Sequence, residues 1–201
     1  MQSPLPLRLL GAAVIAGLPV LALAHPGPDG GAHHGWLAGF LHPFTGIDHL
    51  AAMLAVGAWS GLTAQRAWLA PAAFVAMLLV GALLAAAGVV VPAVEAMIAL
   101  SLVVLGGLLA LRIGLGHAAG VLLVGGLALF HGAAHGLELA GSASALAGMV
   151  AGTVVLHVAG VGLGRAIRAQ AHRAADWSGR IAGGVVAGFG ALLVVPGLFG
   201  G

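Results

Sequence analysis

The chain has 201 residues, of which 61% are hydrophobic and only 6% are charged; its net charge is +2 and its mean hydropathy is +1.15. A soluble domain carries about 25% charged residues, so this composition excludes an ordinary globular protein. The apolar stretches are long and show no period-2 alternation, which predicts an all-α membrane protein embedded in the lipid bilayer. The absence of cysteine excludes thiolate metal sites. Because no basic run is interleaved with aromatic residues, no nucleic-acid partner is expected.

Residues 1–24 have the pattern of a secretory signal peptide. Arg8 precedes an apolar core that ends in Ala22-Leu23-Ala24, an A-x-A cleavage pattern. The core is shorter than the ~20 residues that a spanning helix needs, so we expect cleavage after Ala24. An uncleaved first helix is the alternative.

Residues 25–41 follow as a periplasmic arm, first polar and histidine-rich, then a short apolar segment expected along the membrane interface. Short His-rich tracts bind metal ions, although a flexible tail without a ligand role is the alternative. Cleavage after Ala24 would place the α-amine of His25 beside its imidazole, as a chelating pair. The candidate ligands in the arm are His25, Asp29, His33 and His34.

Residues 42–201 form the predicted transmembrane domain, a bundle of six helices, each segment near the length of a span. The segments are 46–64, 68–90, 93–112, 116–139, 143–165 and 181–199. Glycine is abundant, with 35 residues, and recurs at spacings that let membrane helices approach closely, as at Gly148 with Gly152 and Gly184 with Gly188.

Arginine placement predicts the orientation of these segments. Arg66, Arg112 and the four arginines between residues 165 and 180 fall in alternate loops, on one side of the membrane. The positive-inside rule makes that side cytoplasmic. The mature N-terminus and the C-terminus are then both periplasmic.

The first candidate metal site lies where the first predicted span begins, at His42, Asp48 and His49. Ionisable groups at membrane depth cost about 3 kcal/mol or more unless they are paired, so by default they mark a functional site. Pro43 and Gly46 are expected to bend the chain before the helix, which lets His42 fold back beside Asp48. Imidazoles with a carboxylate suit Ni, Zn, Cu or Fe. A helix cap made by Asp48 is the alternative.

The second candidate site is His131, His135 and Glu138 in the fourth segment. Offsets of four and seven residues place the three side chains on one face of a helix, where they could chelate one ion. Interhelical hydrogen bonds, which polar side chains often make in membrane bundles, are the alternative.

Two single residues complete the candidate ligands. Glu95 begins the third segment on the same side as Asp48 and Glu138, so the three carboxylates could line a shared vestibule. The alternative is that this first-turn Glu only complements the helix dipole. His157 lies deep in the fifth segment, where a hydrogen-bonding role is an equal alternative. Four tryptophans near the segment ends are expected to anchor the helices at the membrane interfaces; they are Trp36, Trp59, Trp68 and Trp177.

The stretches HPFTGIDHLAAMLAVGAW and FHGAAHGLE resemble the HupE/UreJ family of bacterial nickel permeases and hydrogenase or urease accessory proteins. The resemblance runs from about His25 to the C-terminus. It implies uptake of Ni²⁺ or Co²⁺ across the inner membrane without a prosthetic group, and a link to hydrogenase or urease maturation. Carried over by motif, the ligand roles fall to His42, Asp48, His49, His131, His135 and Glu138. The chain is therefore expected to be a carrier and not an enzyme.

Two other functions remain open at the level of sequence. An intramembrane metal-dependent hydrolase could use His131 and His135, but Gly132 stands where the zinc-protease motif places its glutamate. A bis-histidine haem protein could pair His131 with His157, although nothing in the sequence favours it. Neither the choice between nickel and cobalt nor the energy coupling is decided by these residues.

Overall fold

The structure is a computed structural model that describes residues 35–136, 142–170 and 173–199. Within these ranges all regular secondary structure is helical, which confirms the all-α class. The helices are α1 (Trp36–Thr45), α2 (Ile47–Thr63), α3 (Leu69–Ala86), α4 (Val94–Leu111), α5 (His117–Gly136), α6 (Ala143–Ala169) and α7 (Arg173–Phe199). The predicted signal peptide, the arm ligands His25, Asp29, His33 and His34, and Glu138 lie outside the described residues.

Five helices in the described part of the chain are long and apolar enough to cross a membrane. They are α3, α4, α5, α6 and the Trp177–Val194 part of α7. Helix α2 coincides with the first predicted segment, but its 17 residues fall short of the ~20 that a span usually needs. The chain is thus a multi-pass helical protein, and the count of six spans stays a prediction.

The breaks between helices follow from local backbone chemistry. Gly88, with φ of 83°, ends α3 in the left-handed region that glycine adopts without strain, and Pro92 follows before α4 starts. The N-terminus of α6 is capped by Ser142, whose hydroxyl oxygen accepts a hydrogen bond from the Ala145 backbone N–H at 3.2 Å.

Helices pack in closely apposed pairs, with α3 against α5, α4 against α7, and α6 against both α1 and α2. Glycines make these approaches possible, because a Cβ at Gly132 would stand 1.9 Å from the Leu78 carbonyl oxygen of α3. A Cβ at Gly148 would stand 2.0 Å from the Trp36 carbonyl oxygen of α1. Helix α4 contacts α2 and α5, and this centre of the bundle is filled by buried apolar side chains such as Phe74, Leu78 and Leu102.

The segment before α2 differs from the expectation. His42 and Pro43 lie inside helix α1, and the bend comes only at Gly46, between α1 and α2. A proline removes one backbone hydrogen bond, and here the helix is stabilised by packing, since Pro43 is buried and lies against Gly152 of α6. His42 therefore precedes the helix of the first predicted segment, as expected, but it lies in a helix of its own, and Pro43 does not bend the chain.

Trp59 also differs from its predicted role as an interface anchor. Its side chain is buried, and its indole N–H donates a hydrogen bond to the Ile113 carbonyl oxygen at 2.8 Å, which ties the end of α2 to the segment after α4. Trp36, Trp68 and Trp177 are exposed, as anchors would be.

Candidate metal centre

Three helices bring four of the predicted ligands into one hydrogen-bonded chain. His135 of α5 lies at its centre, with Nδ1 2.7 Å from Nε2 of His42 in α1 and Nε2 2.8 Å from Nε2 of His49 in α2. Nδ1 of His49 in turn lies 3.1 Å from Oδ1 of Asp48. We call His42, Asp48, His49 and His135 the His–Asp cluster. The two motifs that are about 90 residues apart in sequence meet here.

A single assignment of the ring protons accounts for every hydrogen bond of the His–Asp cluster. The Nδ1–H of His49 donates to the Asp48 carboxylate, the Nε2–H of His135 donates to His49, and the Nε2–H of His42 donates to His135. In this arrangement all three imidazoles are neutral. Neutral imidazole is the form that binds metal ions.

The cluster is arranged for hydrogen bonding and not for direct coordination. Two nitrogens bound to one metal ion, each ~2.1 Å from it, stand about 3 Å or more apart at usual ligand angles. The bonded ring nitrogens here are closer, at 2.7 and 2.8 Å. Accordingly, among the described residues no three His, Asp, Glu or Cys side chains have a geometry that would hold a metal ion as they stand. An entering ion must exchange imidazole–imidazole hydrogen bonds for metal–nitrogen bonds.

Local backbone features of α1 and α2 hold the cluster in place. The bend at Gly46 turns α2 away from α1, and a Cβ there would stand 3.0 Å from Asp48 Oδ1 and 3.4 Å from His49 Nδ1. The same carboxylate oxygen accepts the His49 backbone N–H at 2.9 Å. Asp48 thus orients both the first turn of α2 and the imidazole of His49, which is the role expected of a carboxylate behind a ligating histidine.

Behind the cluster lies His131, one turn before His135 on α5 and completely buried. Its ring meets the ring of His49 edge-on, with centroids 4.7 Å apart. The Ser101 hydroxyl of α4 donates to the Ile98 carbonyl at 2.6 Å, so its oxygen must accept from His131 Nε2 at 2.8 Å. The proton of His131 is therefore on Nε2. Its Nδ1 keeps a lone pair and, within the described part of the chain, has no hydrogen-bond partner.

His157 lies near the middle of α6 and is 3% exposed. Its Nδ1 is 2.8 Å from the Thr153 carbonyl oxygen, which can only accept, so Nδ1 carries the proton. Nε2 keeps the lone pair, and the described residues offer it no partner. The ring of Phe74 packs against both imidazoles, with centroids 5.4 Å from His131 and 4.9 Å from His157. We call His131 and His157 the buried pair.

Glu95 is not brought into the cluster. It lies in the first turn of α4 with an exposed side chain, and the structure describes no hydrogen bond or ion pair for it. The predicted shared vestibule stays a prediction, since Glu138 lies outside the described residues.

Ser101 and Phe74 contact the candidate ligands and were not found from the sequence. Ser101 is a single hydroxyl in an apolar helix, and Phe74 is one of six phenylalanines. Neither carries a sequence signal of its own. Only the packing of α3 and α4 against α5 places them beside His131.

A cavity of about 650 Å³ between α3 and α6 is separate from the cluster. Its walls are almost entirely apolar, with Val75 and Val158 among the lining residues, while His157 and Arg165 also contribute. Among the lining residues only His157 could act as a ligand to a metal ion, and no carboxylate is present.

Comparison with known proteins agrees with the motifs that meet in this cluster. The family model described as HupE / UreJ protein matches residues 13–193. The chain belongs to the HupE/UreJ family. This HupE/UreJ chain is also 42% identical over 182 residues to Protein HupE of Rhizobium leguminosarum bv. viciae, covering 89% of the chain and 92% of that protein. No solved structure matches the chain.

The geometry of this HupE/UreJ protein does not favour the hydrolase alternative. In a zinc-protease motif two histidines one turn apart face one metal ion. Here His135 faces His42 and His49, whereas Nε2 of His131 faces Ser101. Gly132, which replaces the motif's glutamate, packs against the α3 backbone.

Proposed function

We propose that the protein carries a divalent transition-metal ion across the bacterial inner membrane, with nickel as the first candidate and cobalt as the second. The observation that supports this most strongly is the convergence of His42, His49 and His135 from three helices, backed by the Asp48 carboxylate. Three imidazoles with one carboxylate form a donor set that nickel and cobalt accept. The family resemblance implies the same cargo and a supply of nickel to hydrogenase or urease maturation.

The side of entry follows from where the charges lie. The His–Asp cluster stands at the start of α2, and Arg66 follows the far end of that helix. Arg112 likewise follows the far end of α4. If the arginine side is cytoplasmic, the cluster faces the periplasm, together with both chain termini. The arm ligands His25, Asp29, His33 and His34 would then concentrate ions at the entrance, with Glu95 and Glu138 on the same side.

The chemistry of the cluster suits a carrier more than a storage site. A transport site must bind an ion strongly enough to admit it and weakly enough to release it. There is no thiolate to hold the ion tightly. The hydrogen bonds between the imidazoles also compete with the ion for the lone pairs of His49 Nε2 and His135 Nδ1. Release is therefore assisted by the bonds that re-form.

Uptake of radiolabelled nickel by cells that express the protein tests the proposal. Asp48→Asn removes the charge behind His49, and His49→Ala removes the imidazole on which both His135 and Asp48 converge. Both variants should reduce uptake to the background of cells without the gene, while the amount of protein in the membrane is unchanged. His117→Ala, an exposed histidine at the opposite end of α5, is the matched control and should transport normally. Normal uptake by both cluster variants would end the proposal.

A further inference from the structure

Aromatic rings form a continuous file from the His–Asp cluster into the centre of the bundle. His49 contacts His131, and Phe74 contacts both His131 and His157. His157 is the fifteenth residue of α6, roughly 20 Å along the axis from Ala143 at 1.5 Å per residue. The file of rings therefore begins at the cluster, near the ends of α2 and α5, and reaches the middle of α6.

The two histidines at the inner part of this file hold their lone pairs in fixed positions. The Ser101 oxygen accepts from Nε2 of His131, which leaves Nδ1 as the acceptor atom, and the Thr153 carbonyl accepts from Nδ1 of His157, which leaves Nε2. A hydrogen bond to the remote nitrogen is the usual device that fixes the tautomer of a ligating histidine. Both imidazoles thus keep one lone pair in a fixed position, as a ligand to a metal ion requires.

Among the described residues these buried lone pairs have no hydrogen-bond partner, which is unusual in a folded protein. Most buried polar side-chain atoms have a hydrogen-bond partner, and an exception calls for an explanation such as an ion. Nδ1 of His131 and Nε2 of His157 are two of the exceptions here, and the hydroxyl oxygen of Thr153, one turn before His157, is a third. All three belong to residues that are at least 97% buried. Polar atoms of this kind do not serve apolar packing.

We propose that the buried pair, with the Thr153 hydroxyl, is a second binding station for the divalent cation, reached through the His–Asp cluster. This inference rests on the proposed function and deepens it. Two neutral imidazoles and a hydroxyl lack the charge of a carboxylate, so the station binds the ion more weakly than the cluster that holds Asp48. The ring of Phe74 packs against both imidazoles, so we expect it to shift when an ion binds between them.

Equilibrium dialysis of the purified full-length protein in lipid nanodiscs against Ni²⁺ tests the station directly. Beyond any ions that the arm ligands bind in every variant, the wild type should bind about two ions per chain, one more tightly than the other, since each imidazole set is a separate donor group. His157→Phe keeps the ring volume but removes the lone pair, and should bind about one ion fewer while keeping the tighter site. Retention of the tighter site shows that the variant is folded. His157→Gln, which restores an acceptor oxygen, should recover part of the weaker site.

The outcomes separate this inference from the proposed function. If the wild type and His157→Phe both bind a single ion that requires Asp48, the buried pair is not a station, while nickel transport by the cluster stands. If the weaker ion persists in His157→Phe, it binds elsewhere and the inference is overturned. If the wild type binds no nickel, the proposed function fails and the second station fails with it.

Discussion

The His–Asp cluster and the buried pair contain the same kind of side chain in opposite states. In the cluster, ring nitrogens bond to each other at 2.7–2.8 Å, and His42 and Asp48 are partly exposed. In the buried pair, each imidazole donates one hydrogen bond to a fixed acceptor, and its other nitrogen has no partner in the part of the chain that the structure describes. An ion entering the cluster must replace existing hydrogen bonds, whereas an ion reaching the buried pair displaces the ring of Phe74 but breaks no hydrogen bond of the two free ring nitrogens within the described residues.

This difference suggests how the proposed pathway avoids trapping its cargo. The cluster has the carboxylate and more imidazoles, so it attracts the ion, but its own hydrogen bonds limit the affinity. The buried pair has no charge to attract an ion and is arranged in advance to receive one. Binding that is moderate at each of several sites is what conduction requires.

The largest effect is expected from a substitution that disrupts the His–Asp cluster and the buried pair at once. Gly132→Leu places a side chain where even a Cβ would stand 1.9 Å from the Leu78 carbonyl, so α3 and α5 must separate. Because His131 and His135 both lie on α5, the cluster and the buried pair lose their geometry. We expect destabilisation by about 3 kcal/mol or more, measured as a lower thermal midpoint of the purified protein.

Gly126→Leu is the matched control for Gly132→Leu. Gly126 lies on the same helix with nothing within 4 Å of an added Cβ. It should leave the midpoint and nickel uptake unchanged. Equal midpoints for the two variants would show that backbone contact between α3 and α5 does not support the site.

The next largest effect is expected at the cluster alone, when its central imidazole is removed. His135→Ala leaves His42 and His49 without the imidazole that joins them, while His131 keeps its bond to Ser101. Nickel uptake should fall roughly a hundredfold, since losing even a residue that only orients a ligand costs about tenfold or more. The thermal midpoint should change little. Substantial uptake by this variant would move the entry site away from the cluster.

A smaller effect is expected from a substitution next to the buried pair. Ser101→Ala removes the acceptor that keeps the proton of His131 on Nε2, so Nδ1 is no longer fixed as the free lone pair. The maximal rate of nickel uptake should fall about tenfold, with the half-saturating concentration unchanged because the cluster still sets it. Ser101→Thr, which keeps the hydroxyl, should restore the rate.

Ser60→Ala serves as the control for Ser101→Ala. Ser60 is another buried serine whose hydroxyl donates to a backbone carbonyl, that of Ala67, at 2.9 Å, away from the histidines. If Ser60→Ala slows uptake as much as Ser101→Ala does, the hydroxyl acts on stability alone and not through His131.

The smallest effect tests the position of the Asp48 carboxylate. Gly46→Ala adds a Cβ 3.0 Å from Asp48 Oδ1, which the carboxylate can avoid by a small rotation at the expense of its bond to His49. The half-saturating nickel concentration should rise about threefold, in line with the net contribution of one hydrogen bond. Gly35→Ala, where an added Cβ meets nothing within 4 Å, should have no effect. An unchanged half-saturating concentration for Gly46→Ala would mean that Asp48 does not act through His49.

The sequence predicted the helices well because hydrophobic length is a strong signal in a membrane chain. The predicted segments at 68–90 and 93–112 correspond to α3 and α4 within a few residues. Their packing could not be predicted with the same accuracy. Of the glycines expected at helix contacts, Gly148 and Gly152 lie against α1, but Gly184 and Gly188 face open space, and Gly183 makes the contact with α4 instead. Spacing alone does not tell which side of a helix meets its neighbour.

For the site, the residue types could be predicted from the sequence, but their grouping could not. His131 and His135 were expected to act on one ion with Glu138, whereas His135 belongs to the cluster and His131 continues the ring file toward His157. Side chains one turn apart share a helix face, but their separate partners on α1, α2 and α4 draw them to different places. Those partners are brought together by tertiary packing, which local periodicity does not encode.

Whether the His–Asp cluster binds the ion is tested by nickel K-edge X-ray absorption of the purified, nickel-loaded protein, compared with His49→Ala. If the imidazoles of the His–Asp cluster turn from each other to one ion, the wild-type spectrum will show several imidazole nitrogens around nickel, and the variant will show fewer. A nickel ion surrounded only by water oxygens, or an imidazole signal that His49→Ala leaves unchanged, would contradict the account.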